Sequence, residues 1–142
     1  MKTVQQILEG KTHKILSVSP DESVYDALQL MAGKDVGALV VLNKDQLVGI
    51  FSERDYARKV VLHGKASKDT LVREVMTGKV LCVNPLQTMD ECMALMTDKR
   101  VRHLPVIEQN KVVGVISIGD VVKEVIADQQ FQIHQLEQYI HM

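Results

Sequence analysis

The sequence predicts an α/β fold made of two copies of one strand–helix–strand–strand–helix unit. Three observations carry this. First, one ungapped shift of 65 positions carries Pro20 onto Pro85, and with it Leu16 onto Leu81, Val18 onto Val83, and Leu30-Met31 onto Leu95-Met96. The same shift carries Lys34 onto Lys99, Val36 onto Val101, Leu39 onto Leu104, Val41 onto Val106, and Val48-Gly49 onto Val113-Gly114. An internal repeat of this length marks two copies of one supersecondary unit that bury a shared face. Second, short β-branched runs alternate in each copy with an apolar stripe at helical spacing. Third, each copy ends in the same corner, Gly-apolar-apolar-Ser-x-x-Asp, read once as Gly49-Ile50-Phe51-Ser52-Glu53-Arg54-Asp55 and again as Gly114-Val115-Ile116-Ser117-Ile118-Gly119-Asp120.

The first copy spans 4–63 and opens on a short lead-in helix or turn, Val4 to Leu8. A strand follows at Ile15-Leu16-Ser17-Val18. Ser19-Pro20-Asp21-Glu22 then reads as a helix start, with Ser at the N-cap, Pro at the first helical position and Glu at the third. The helix carries Val24, Ala27, Leu28 and Met31 on one stripe, which reads as core packing. Two apolar runs, Ala38 to Leu42 and Leu47 to Phe51, flank the polar turn Asn43-Lys44-Asp45-Gln46 and predict a hairpin. A second helix runs from about Glu53 to His63.

A polar link, 64–70, leads to the second copy, 71–127. Here the lead-in is Leu71 to Met76, the strand Val80-Leu81-Cys82-Val83, and the helix start Asn84-Pro85-Leu86-Gln87. The stripe is Met89, Cys92, Met93 and Met96. The hairpin is His103 to Ile107 and Val112 to Ile116 around Glu108-Gln109-Asn110-Lys111. The last helix runs from about Gly119 towards Tyr139, so that 128–142 forms a helical extension in need of a partner surface. One copy alone would leave too much of its sheet exposed, so the two are expected to pack as one body with pseudo-two-fold symmetry.

Each corner combines a helix cap with ligand chemistry. Ser52 and Ser117 stand where an N-cap belongs, and Asp55 and Asp120 fall three residues on, where a carboxylate reaches back to the cap. A carboxylate can also accept hydrogen bonds from both hydroxyls of a cis-diol, and a helix N-terminus favours phosphate.

Two such copies resemble the tandem CBS domain, or Bateman module, of the small stand-alone bacterial type. The Val75-Met76-Thr77 entry to the second copy is similar to that family's usual one. The resemblance covers about Val4 to Ala127. It implies a non-catalytic regulatory module that binds an adenosine nucleotide (AMP, ADP, ATP or NAD(H)) in clefts between the repeats and signals by a conformational or assembly change. It also implies a homodimer through the helices that follow the motifs, and a regulated protein partner. Carried over, the motif places Ser52, Asp55, Ser117 and Asp120 at ribose and phosphate, with Arg54 in the first motif. Arg102 and His103 stand where the first copy has Gly37 and Ala38, and the family often meets phosphate there with basic residues; a solvent-facing Arg and an edge His are the alternative. Lys14, Ile15, Val80 and Leu81 match the positions that sandwich adenine. The rival reading is a structural dimerisation module with vestigial clefts.

Composition narrows the field. The 142 residues are 46% hydrophobic and 25% charged, enough for a core and a wetted surface. A net charge of −1 gives no basic face for nucleic acid, and 4% aromatics without Trp give no base-stacking platform. No apolar run reaches the length of a membrane span, and the N-terminus has no signal-peptide core. Cys82 and Cys92 read as a reduced pair in a cytoplasmic protein. His13, His63, His103, His134 and His141 are scattered, with no third ligand for a metal and no nucleophile–base spacing. Phosphate loops of the Gly-x-x-x-x-Gly-Lys type are absent. Neither an enzyme nor a catalytic cofactor is expected.

Overall fold

The computed structural model describes residues 1–11 and 15–141. The chain divides into two compact units. One comprises Met1–His13, Cys82–Ile107 and Gly114–Met142; the other comprises Lys14–Leu81 and Glu108–Val113.

In the second of these, the Ala-Leu-Val-Val-Leu run forms β2 (Ala38–Asn43), which pairs antiparallel with β3 (Gln46–Ser52) and parallel with the short β1 (Ser17–Val18). The hairpin turns on Lys44 and Asp45, with φ of 50° and 68°, the two positive angles of a tight turn whose twist suits the strands. Helix α2 (Val24–Lys34) buries Val24, Ala27 and Met31, while Leu28 is half-buried. With Val18, Leu39, Val41 and Phe51 they form one core, completed by Val60, Val72 and Val75. After β3 come a single turn, α3 (Glu53–Asp55), and a π-helical segment, Tyr56–Val61. A 3-10 turn, Ser67–Asp69, and α4 (Val72–Val75) follow.

The second repeat follows the same plan with α5 (Met89–Lys99), β4 (His103–Glu108), β5 (Lys111–Ser117) and α6 (Ile118–Ile140). The hairpin between β4 and β5 turns on Gln109 and Asn110 in the same left-handed conformation; the first-named unit also holds α1 (Val4–Glu9), and its core is Val4, Val83, Met89, Cys92, Met96, Leu104, Val106, Ile116 and Val121. Met93, expected on the inward stripe, is 38% exposed. It occupies the edge position of Leu28.

Three sequence expectations are corrected. The helices begin four residues later than the Ser19 and Asn84 caps imply, at Ser23 and Thr88. Ser19 N–H does donate to Glu22 Oε1 and Asn84 N–H to Gln87 Oε1, but the Ser19 and Asn84 side chains accept from Asp21 and Leu86 N–H, so these bonds close a turn. The helix start is set from a distance. Ser23 is held extended by an antiparallel bridge to Leu71, and Thr88 by one to Thr3. Second, the strand expected at Val80 to Val83 shrinks to one parallel bridge, Val83 with Val106, the exact-register twin of Val18 with Val41. Val83 N–H donates to Pro105 O at 3.0 Å and Ile107 N–H to Val83 O at 2.9 Å. The next bridge, at Cys82, would need a donor from residue 105, and proline has none. Third, the first copy's last helix is not a plain α-helix: Leu62 N–H reaches back five residues to Ala57 O at 3.2 Å.

Each lead-in segment sits with the elements of the other repeat. Val4 N–H donates to Gln87 O at 2.8 Å, and Val72 N–H to Glu22 O at 2.9 Å. The motif glycines make room for these segments. A Cβ on Gly114 would stand 2.5 Å from Leu8 Cδ2, and one on Gly49 would stand 2.6 Å from Met76 Sδ.

Candidate functional site

Both corners are built alike. The strand ends on a serine in extended backbone, with φ −125° and ψ 165° at Ser52 and φ −100° and ψ 163° at Ser117. Each serine hydroxyl oxygen accepts from the aspartate backbone N–H at 3.2 Å. Each carboxylate reaches back: Asp55 Oδ2 accepts from Ser52 N–H and hydroxyl at 3.0 Å each, and Asp120 Oδ2 from those of Ser117 at 2.8 and 3.1 Å. The next N–H is anchored too. Glu53 donates to Gly37 O at 3.1 Å, and Ile118 donates to Arg102 O at 2.8 Å. Residue 102 therefore lies against the second corner as residue 37 lies against the first.

The second oxygens separate the two corners. Asp55 Oδ1 accepts from the Thr77 hydroxyl at 3.0 Å and pairs with Lys59 Nζ at 3.1 Å. Asp55 is buried, and both its oxygens are occupied. Around Asp120 the cation is Lys11, whose Nζ stands 2.6 Å from Oδ2, the oxygen already facing Ser117, and donates to Val115 O at 2.8 Å. Oδ1 takes none of these bonds.

Arg102 is exposed and His103 half-buried beside this corner. Burial pushes the His103 pKa below its usual value; Asp120 opposes that shift, and Lys11 and Arg102 add to it. His103 is thus a neutral hydrogen-bonding group at physiological pH, and Arg102 and Lys11 supply the fixed positive charge. Arg54 is exposed on the first turn after Ser52. Of the adenine positions, Ile15 and Leu81 lie outside any strand at 38% and 36% exposure, Val80 is half-buried, and Lys14 lies outside the described residues. The structure so gathers Ser117, Asp120, Arg102 and His103 in one unit and Ser52, Arg54 and Asp55 in the other. Sequence reasoning missed Lys11 and Thr77, remote from the aspartates they hold. Lys59 was findable as the i+4 partner of Asp55.

Among the described residues no group of three metal-ligating side chains converges, and no helix is long and apolar enough to cross a membrane.

The CBS domain family model matches residues 4–62 and 72–127. The chain belongs to the CBS domain family. It is 56% identical to a protein with CBS domains from Burkholderia ambifaria MC40-6, covering 90% of this chain and 96% of that one at a TM-score of 0.86. It is 42% identical to the mitochondrial CBS domain-containing protein CBSX3 of Arabidopsis thaliana, over 97% of this chain and 71% of the relative. The fold recurs at 19% identity, with a TM-score of 0.79, in the CBS domain pair of protein MJ0100, covering 89% of this chain and 98% of that one; that structure is a complex with 5′-methylthioadenosine and S-adenosyl-L-methionine. The architecture is thus an α/β tandem CBS pair.

Proposed function

We propose that this CBS pair is a non-catalytic regulatory module that senses an adenosine nucleotide, AMP, ADP, ATP or NAD(H), at its second Ser–Asp corner. The observation that carries the reading is the state of the two carboxylates. Asp55 has both oxygens engaged inside the chain, whereas among the described residues no hydrogen bond or ion pair engages Asp120 Oδ1, which suits an incoming hydroxyl. Beside Asp120 stands a lysine, Lys11, and the Arg102 backbone carbonyl accepts from Ile118 N–H at the same corner, which puts a residue with a cationic side chain next to it. A carboxylate suits a ribose cis-diol, and a cation at a helix N-terminus suits phosphate. The first corner is then chiefly structural, which lowers the expected stoichiometry to one nucleotide per chain.

The module acts by shifting an equilibrium in its own dimer or in a partner protein. Support for a dimer comes from its helices. Val60 and Val121 point inward, yet Val61, Val122 and Ile126 remain about half exposed. Cys82 and Cys92 are not joined in a disulfide, which suits a reducing compartment such as the cytoplasm.

Calorimetric titration with AMP, ATP, NAD(H) and S-adenosylmethionine tests the reading. Saturable binding near one per chain that is lost in Asp120→Ala supports it. No binding by any of the four leaves the structural dimerisation module as the function.

A further inference from the structure

Helix α6 runs for 23 residues from the Ser117 cap, about 34 Å at 1.5 Å per residue. Its early turns bury Val121 and Glu124 in their own unit. A different stripe runs its full length: Val122, Ile126, Gln129, Ile133, Leu136 and Ile140, spaced 4, 3, 4, 3 and 4. That is a heptad seam, with isoleucine at every a position (126, 133, 140) and Val122, Gln129 and Leu136 at d. From Gln129 to His141 every residue is exposed, so among the described residues nothing covers this half. Ile133, Leu136 and Ile140 are 55%, 62% and 74% exposed.

The geometry points to a parallel two-stranded coiled coil between the α6 helices of two copies of this chain. The occupant is argued from the seam itself. A 3-4 repeat suits a helix of the same period, and isoleucine at every a position, with Leu136 the one leucine among the three d positions, leans to two parallel strands. Gln129 fixes the direction. In a parallel pair it meets the partner's Gln129, and the two amides can hydrogen-bond. Antiparallel packing, with a and d layers exchanged, would set it against Ile133 and bury an amide in apolar contact. An amide buried without a partner forfeits its hydration with no return. The antiparallel pair would gain Lys123–Glu137 contacts, but exposed ion pairs contribute less than an unsatisfied buried amide costs. The buried amides decide the balance. This inference extends the dimer beyond the function proposed above, and assembly alone judges it, while nucleotide titration judges the function.

The test uses the full chain with Cys82→Ser, which removes the exposed thiol. Sedimentation equilibrium should show a dimer. Ile133→Glu should raise its dissociation constant roughly a hundredfold or more, since both copies lose a seam residue that burial would stabilise. Phe131→Glu, an equally exposed apolar residue off the seam, should leave it unchanged. Neither residue belongs to the unit's core, and unchanged circular dichroism confirms that the fold is kept. Leu136→Cys should cross-link to itself under mild oxidation, because only the parallel register brings the two copies of residue 136 together. A monomeric parent, an equal response to Ile133→Glu and Phe131→Glu, or no Leu136→Cys cross-link overturns the inference.

Discussion

Replacing the two motif aspartates one at a time should produce opposite phenotypes. Asp55 accepts from Ser52 N–H, the Ser52 hydroxyl and the Thr77 hydroxyl, and pairs with Lys59, while buried. In Asp55→Ala the Ser52 and Thr77 donors lose their acceptor in a part-buried place. Each costs about 1 kcal/mol or somewhat more, and the lost cap adds about 1 kcal/mol. The Lys59 side chain is 43% exposed, so its ion pair adds less than about 1 kcal/mol. The expected loss of stability is about 2–4 kcal/mol. Asp120→Ala loses the Ser117 contacts and the Lys11 pair but no Thr77-like bond, and should cost about 1–2 kcal/mol.

Affinity should run the other way. Losing charge-assisted bonds from Asp120 to a ribose should cost about 1.5–3 kcal/mol, or about tenfold to a hundredfold in affinity. Asp55→Ala should leave AMP affinity within about threefold, a difference below 1 kcal/mol. Urea denaturation gives the stabilities and calorimetry the affinities. If Asp120→Ala binds AMP like the parent while Asp55→Ala loses it, the assignment from carboxylate occupancy is refuted.

Arg102→Gly with His103→Ala, which copies the first repeat, should weaken AMP and ATP more than adenosine; equal losses in calorimetry would remove these residues from phosphate. His103 has a folded-state pKa below its unfolded value near 6.5, so the unfolded chain binds the extra proton first. Its contribution to stability is therefore present above about pH 6.5 and is lost as pH falls towards the folded-state value. Urea midpoints measured between pH 7.5 and 5.5 should fall less steeply in His103→Ala. Gly49→Ala should destabilise by about 1–3 kcal/mol, since its Cβ would meet Met76 and the Thr77 carbonyl; an unchanged urea midpoint would mean the segment yields freely. A thiol reagent at pH 8 should modify the exposed Cys82 ahead of Cys92, which is buried with its pKa pushed up to about 11 and should react only on unfolding; equal rates would contradict that burial.

What the sequence made legible was local or periodic. The hairpins, the inward stripes and the Ser–Asp caps depend on residues within a turn or two of one another, and these stand where the spacing put them, save for Met93 and Leu28 at the edge of their stripes. The register of the repeat even carried the pairing: Val18 with Val41 becomes Val83 with Val106. What escaped depends on residues far apart. Ser19 satisfies every local rule for an N-cap, but the bridge from Leu71 to Ser23 decides where α2 begins. Pro105 was in plain view, yet its effect falls on Cys82, across the sheet. At the site, the two aspartates read as equivalent because their own motifs match. Their difference comes from Thr77 and Lys11, 22 and 109 positions away.

The same contrast bears on how such a module could transmit a signal. After the first corner, α3 lasts one turn and passes into the π-helical segment that ends at Val61. After the second, one uninterrupted α-helix carries the Asp120 carboxylate at its start and the Ile133–Ile140 seam at its far end. A ligand that tilts or rotates the first turn of α6 moves the seam with it, since backbone hydrogen bonds fix the angle between residues along an α-helix. A coiled coil is sensitive to such rotation, because a few tens of degrees turn an a position towards the flank. Coupling of this kind must be reciprocal: whatever factor the nucleotide applies to dimerisation, dimerisation applies to nucleotide affinity. The repeat duplicated the corner, but only the second is followed by the long helix, and there, among the described residues, no hydrogen bond or ion pair engages Asp120 Oδ1.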